Sequence, residues 1–207
     1  MRKEYQVNAG GGLPADYFQL DYLEGTGTQW IDTGFCAIGG DIVDFEWTPL
    51  VFNESNTLGS HNPRNNSSNG YNRNQAAFAR STHMQFTKCG YYNYASCPIQ
   101  IVLGTKYHIV YNTINGNRIG SVNGYSVINQ TNTGVLNPVN NMYFFHNGYD
   151  NTNNKGRIHN AKIYDSSETL VRDYIAVLRI SDNEPGLYDF VNGVFYTNAG
   201  TGVFLYA

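Results

Sequence analysis

The amino-acid sequence predicts an all-β protein: a two-sheet antiparallel sandwich or jelly roll with a short N-terminal arm. Three observations carry this. Apolar and polar residues alternate with period two in one run after another, Asn-Gly pairs separate several of the runs, and no window keeps apolar residues at i, i+3, i+4 and i+7 beyond about two helical turns. A chain of 207 residues buries roughly two-thirds of its unfolded surface, so it needs neither a disulfide nor a metal to fold.

Residues 1–12 read as an arm, because "EYQVN" is a short strand-like run cut off by Gly10, Gly11 and Gly12. Such a run cannot bury its own apolar side, and it is expected to dock through Tyr5 and Val7 on a partner or on a sheet edge. The domain proper is expected to span 13–207. At its start Phe18, Leu20 and Tyr22 fall on one face of a strand and Gln19 and Asp21 on the other. The stretch "QLDYLEGTGTQWIDTG", residues 19–34, alternates, turns on Gly25-Thr26-Gly27 and alternates again, so it reads as paired strands joined by a tight turn. Ile42, Val43, Phe45 and Trp47 form the next strand.

Residues 60–74 hold almost no apolar residue and are expected to loop. Strand signals return at "QAAFARS", "HMQFTK", "YYNYA" and "PIQIVLG". In "YHIVYNTINGNRIGSVNGYSVI" two Asn-Gly pairs, Asn115-Gly116 and Asn123-Gly124, each offer the positive-φ residues of a type I′ turn, which predicts a three-strand meander. "NMYFFHNG", "GRIHNAKIYD", "LVRDYIAVLRI", "GLYDFV" and "GVFYTN" continue the pattern, with Asn192-Gly193 closing a further hairpin.

Composition excludes several roles. Charged residues are 14% of the chain, the formal net charge is −3, and the 13 Lys and Arg are scattered, which argues against a phosphate-tracking surface and so against nucleic acid as a partner. No run approaches the roughly 18 to 20 apolar residues that cross a bilayer, so no membrane partner is expected. The first residues carry no apolar core of the kind a secretory signal has, so synthesis in a cytoplasm is expected. Cys89 and Cys97 are spaced to face each other across a hairpin; without an export signal they and Cys36 are expected to stay reduced.

With the strands placed, "LPADYFQLDYLEGTGTQWIDTGF" and "GRIHNAKIYDSSETLVRDYIAVLRISDNEPGLYDFVNGVFYTNAGTGVF" resemble the opening and closing parts of a LamG-like, concanavalin A-like jelly-roll family. The family's usual Pro is replaced by Ala176, and residues 55–100 match nothing specific. The resemblance implies the two-sheet sandwich used by lectins, glucanases and laminin G modules. It also implies a setting in proteins of tailed phages of gut bacteria or in surface proteins of their hosts. One fold hosts many functions, so chemistry has to be sought in particular residues.

Jelly-roll glucanases resembling this fold carry their acids on one strand as Glu-x-Asp-x-Glu or Glu-x-Asp-x-x-Glu, and retaining hydrolysis needs two carboxyls about 5 Å apart. In "DIVDFEW" Asp44 and Glu46 share a face but the third position is Ile42; in the other register Asp41 and Glu46 match while the middle is Val43. Both registers are incomplete, so these residues read as the wet side of a strand and no catalytic residue is expected. His61, His83, His108, His146 and His159 have no metal-pair spacing. Asp150, Asn151 and Asn153 offer oxygen ligands for calcium, but with one carboxylate and Lys155 opposing it an Asn-rich turn is the simpler reading, so no cofactor is expected.

Sugar binding demands less. Aromatic faces stack on a pyranose while amides and carboxylates meet its hydroxyls, and Tyr71, Asn72, Tyr92, Asn93, Tyr94, Tyr149 and Asp150 would supply both from loops at one rim. The expectation is therefore a non-catalytic virion structural protein, a capsid decoration or a head or tail fibre subunit, that assembles with copies of itself and other virion proteins and meets glycans. An exported bacterial carbohydrate-binding or adhesin module at the cell surface is the alternative, and a glycoside hydrolase ranks third.

Overall fold

Period-two alternation sends one set of side chains inward and leaves the other wet, and a strand so divided is stable only when a second layer covers its apolar face. The computed structural model describes residues 12–52, 58–61, 73–80, 82–88, 95–131, 140–146 and 154–207. Tyr5, Val7, Tyr71, Asn72, Cys89, Tyr92, Asn93, Tyr94, Tyr149, Asp150, Asn151 and Asn153, named above, lie outside the described residues.

The described strands are β1 (Tyr17–Gln19), β2 (Leu23–Thr26), β3 (Ile31–Asp32), β4 (Ile42–Pro49), β5 (Leu58–His61), β6 (Arg73–Arg80), β7 (His83–Lys88), β8 (Ala95–Gln100) and β9 (Tyr107–Asn112). They continue as β10 (Asn117–Val122), β11 (Tyr125–Thr131), β12 (Tyr143–Phe144), β13 (Lys155–Tyr164), β14 (Leu170–Arg179), β15 (Glu184–Asp189), β16 (Val194–Tyr196) and β17 (Leu205–Tyr206). A single 3₁₀ turn, Ile114–Gly116, is the only helical element among the described residues, and no helix there is long and apolar enough to cross a membrane.

Two antiparallel sheets result. The larger has 11 strands in the order β11-β10-β9-β4-β13-β14-β15-β16, with β1 on β14, β2 on β13 and β17 on β2; the smaller has six in the order β3-β12-β5-β6-β7-β8. The chain is an all-β, two-sheet antiparallel jelly-roll sandwich. Val43, Phe45 and Trp47 of β4, Ile109 and Tyr111 of β9 and Ile158 and Ile163 of β13 face Ile31, Met84, Phe86 and Phe144 of the smaller sheet, and all are at most 1% exposed. Rings cross the gap, Phe86 to Tyr111 at 5.0 Å and Phe144 to Tyr174 at 6.0 Å.

Three local expectations are corrected. Residues 19–34 do not form a hairpin: β2 pairs with β13 in the larger sheet and β3 with β12 in the smaller. The chain changes layer at Gly27, whose φ of 111° suits glycine. Gln29 pins the crossing, its Oε1 accepting from the Thr26 N–H at 2.8 Å and its Nε2 donating to the Val203 carbonyl at 3.1 Å. Phe18 does not share the burial of Leu20, being 45% exposed where Leu20 is 5%, although the bonding to β14 continues past Gln19 with the Leu20 N–H donating to the Ala176 carbonyl at 2.9 Å.

The turn at Asn115-Gly116 is a third case. Both residues have positive φ, 51° and 77°, but the ladder stops at Asn112 opposite Ile119, so a longer loop containing the 3₁₀ turn replaces the two-residue hairpin. Asn123-Gly124, at φ 50° and 78°, does close Val122 against Tyr125 as expected.

Candidate functional site

The outer face of the larger sheet is where alternation leaves polar side chains. On β4, Asp44, Glu46 and Thr48 point away from Val43, Phe45 and Trp47; on the adjacent β9, His108 does the same. The next strand departs from regularity. In β13 the ladder pairs Ile158 with Trp47 and Asn160 with Glu46, leaving His159 as an extra residue. This β-bulge sets two successive side chains, His159 and Asn160, on the outer face.

Around them lies a cleft of about 450 Å³ lined by Gln19, Leu20, Asp21, Tyr22, Glu46, Lys106, His159, Asn160 and Ile175. Its wall is the segment between β1 and β2, held against the bulge by the imidazole. His159 Nδ1 lies 2.8 Å from the Asp21 carbonyl and Nε2 lies 3.0 Å from Thr48 Oγ1. A carbonyl only accepts, so Nδ1 carries the proton and the neutral ring accepts from the threonine hydroxyl at Nε2. Burial pushes the His159 pKa below its ordinary value; the Asp21 carbonyl opposes the shift and the charge of Lys106 adds to it.

Glu46 Oε2 accepts from Lys106 Nζ at 3.0 Å and from the Asn160 amide at 2.9 Å. Burial works to raise this carboxyl, but the Lys106 ammonium and the Asn160 amide together outweigh it and hold Glu46 below the usual carboxylate range. It is an ionised acceptor, with both bonds on one oxygen. Tyr22 forms the aromatic side: the Arg157 guanidinium sits 4.4 Å over its ring and the His159 ring meets it edge-on at 5.8 Å. Arg157 is fixed in turn by Glu24 at 2.7 Å, so a residue of the opening stretch acts as scaffold for the wall.

The other acids read from "DIVDFEW" divide. Asp44 takes a 2.6 Å contact from His108 Nε2 on the same face, beside the cleft. Asp41 is wholly buried and accepts from Thr113 Oγ1 at 2.8 Å, so it braces the start of β4. Among the described residues no three His, Cys, Asp or Glu side chains gather as a metal site. Sequence reasoning did not single out Tyr22, Lys106 or Asn160 for the cleft. The available signal was the doubled polar pair His159-Asn160 inside the otherwise regular "RIHNAKI", which marks the bulge.

No family model matches the chain, and no curated protein matches it in sequence. In fold it is similar to a candidate carbohydrate binding protein from Bacteroides ovatus ATCC 8483, with TM-score 0.59 and 10% identity over 92% of this chain and 60% of that one. A Trypanosoma rangeli sialidase is similar over 62% of this chain at TM-score 0.46 and 13% identity, and the chain spans only 22% of its length. A domain of a Geobacillus stearothermophilus extracellular arabinanase, solved with arabinotriose, is similar over 67% of this chain and 66% of its own at TM-score 0.48 and 17% identity.

Proposed function

We propose that this chain is a non-catalytic glycan-binding module of the LamG-like jelly-roll kind, carried on the surface of a tailed-phage virion. The observation that carries the binding is the cleft. It combines an apolar side from Leu20, Tyr22 and Ile175 with an amide, an ammonium and an ionised carboxylate, which is the pairing of C–H surface and hydroxyl partners that a pyranose presents. The Bacteroides ovatus neighbour, described as carbohydrate binding, supports the same reading.

Absence of catalysis is supported by the state of the acids. A general acid needs a raised pKa, whereas Glu46 is held low by Lys106 and Asn160 and Asp44 is engaged by His108. The virion setting is supported by the family resemblance and the low charge; assembly with copies of itself and with other virion proteins through Tyr5 and Val7 belongs to the same proposal. Mass spectrometry of purified particles should find the chain at structural stoichiometry. Its recovery instead from a bacterial envelope fraction would move it to the exported adhesin alternative.

A glycan array on the whole chain, followed by calorimetry, tests the binding. Tyr22→Ala and Asn160→Ala should each weaken the strongest hit about tenfold, the size expected for losing one stacking or hydrogen-bond partner. A hit that neither substitution affects would place recognition elsewhere. Release of reducing sugar by the wild type that Glu46→Gln abolishes would overturn the non-catalytic assignment.

A further inference from the structure

The opposite face of the sandwich carries a second aromatic surface. Tyr143 of β12 stands directly across the ladder from Asp32 of β3, while their neighbours Phe144 and Ile31, also paired, are buried in the core. Tyr143 and Asp32 therefore share the outward side of the smaller sheet. Trp30, one residue before β3, meets the edge of Tyr143 at 5.0 Å and stacks on His146 at 5.1 Å with planes 29° apart. Tyr143 and His146 close the triangle at 5.6 Å. All three rings are partly exposed.

Polar groups stand at the side of this platform. Asp32 Oδ1 accepts from the Gly34 N–H at 2.8 Å and from the Asn141 amide at 2.9 Å. Both bonds fall on Oδ1, so Oδ2 keeps its acceptor capacity. Burial, with the charge of Asp32 next in weight, raises the Tyr143 phenol, which keeps its proton available for donation. On the other flank the residue opposite Tyr143 is Gly59 of β5.

We propose that Trp30, Tyr143 and His146, with Asp32 and Asn141, form a second glycan site, specific for uncharged pyranoses and lying on the face opposite the Glu46 cleft. The proposal rests on the glycan-binding reading above and extends it to a module that engages sugar on both faces. The rings offer a stacking surface, Asp32 Oδ2 and the Tyr143 hydroxyl offer an acceptor and a donor for neighbouring hydroxyls, and the Asp32 carboxylate repels uronic and sialic acids.

Tryptophan emission reports this site directly, since the chain has only two tryptophans and Trp47 is 1% exposed in the core. The whole chain is titrated with cellotetraose, mannotetraose and galactotetraose, and with tetragalacturonate as the charged comparator, reading emission and heat together. The expected result is an emission change with a neutral sugar that survives Tyr22→Ala, and whose midpoint moves up about tenfold in Tyr143→Ala and by less in Tyr143→Phe, which keeps the ring and loses the hydroxyl donor. Tetragalacturonate should bind at least about tenfold more weakly, and Asp32→Asn should narrow that gap. Heat that Tyr22→Ala abolishes with emission unmoved throughout would overturn the second site and leave the cleft standing. Neither heat nor emission change with any of these sugars would overturn both.

Discussion

The indole of Trp47 occupies the place where a side chain on Gly156 would stand, so two adjacent strands meet there without room for a methyl group. Gly156 pairs with Pro49, and Trp47 pairs with Ile158 beside the bulge. Overpacking of this kind costs about 1 to 3 kcal/mol. Gly156→Ala is therefore expected to lower the unfolding free energy by that much, read as a lower urea midpoint with the m-value unchanged; a neutral result would mean that the indole can slide aside.

Acid should weaken the protein in two stages. The folded-state pKa of His159 is lowered, so in the window below its ordinary value the unfolded chain binds more protons and stability rises with pH. The contribution is complete above about pH 6.5 and is lost as pH falls toward the folded value. Glu46, also lowered, adds stability that is complete above its ordinary value of 4.5 and is lost below it. Urea midpoints measured from about pH 7 to 5 should slope less in His159→Gln than in the wild type, since glutamine keeps a donor and an acceptor without the titration. Equal slopes would assign the acid sensitivity to other groups.

Asp189, the last residue of β15, ties the turn between β15 and β16 to β14. It is fully buried and accepts from the Asp173 N–H at 2.9 Å, the Val191 N–H at 3.0 Å and the Asn192 amide at 2.6 Å, with Arg172 at 3.6 Å. Removing it leaves several donors and a guanidinium without their acceptor. Asp189→Ala should cost about 3 to 5 kcal/mol in thermal or urea unfolding, and Asp189→Asn less. A loss under about 1 kcal/mol would show that water takes over these bonds.

Gly124 provides a milder check on the hairpin. It has a φ of 78° and no atom within 4 Å of where a Cβ would stand, so strain alone decides the outcome. Gly124→Ala should destabilise by about 1 kcal/mol, whereas a stabilising result would refute the turn geometry.

Sequence made the layers legible because burial has a period. Asp44 and Glu46 read as the wet side of their strand, and Val43, Phe45 and Trp47, which alternate with them, are core. Strand partners were not legible in the same way, since alternation says which side a residue takes but not which strand lies beside it. Hence β2 and β3, contiguous in sequence and similar in pattern, were joined as a hairpin although they belong to different sheets. The cleft escaped for a related reason: Tyr22, Lys106 and Asn160 come from three separate parts of the chain, and the registers of β4 with β9 and β13 and of β13 with β2 bring them together. Glu46 and Asp44 are visible in the sequence as a wet pair, yet Lys106 and His108 are not visible as their partners.

The extra residue in β13 has an evolutionary corollary. Excising one residue from a strand normally inverts every side chain beyond the cut. Here the excision of His159 would leave Ile158 inward, Asn160 outward and Ala161 inward, restoring a continuous ladder with Trp47 and Glu46. The imidazole is thus a graft that the sandwich can gain or shed without renumbering its interior, and a lineage could acquire or discard this anchor of the groove's wall by a three-nucleotide event.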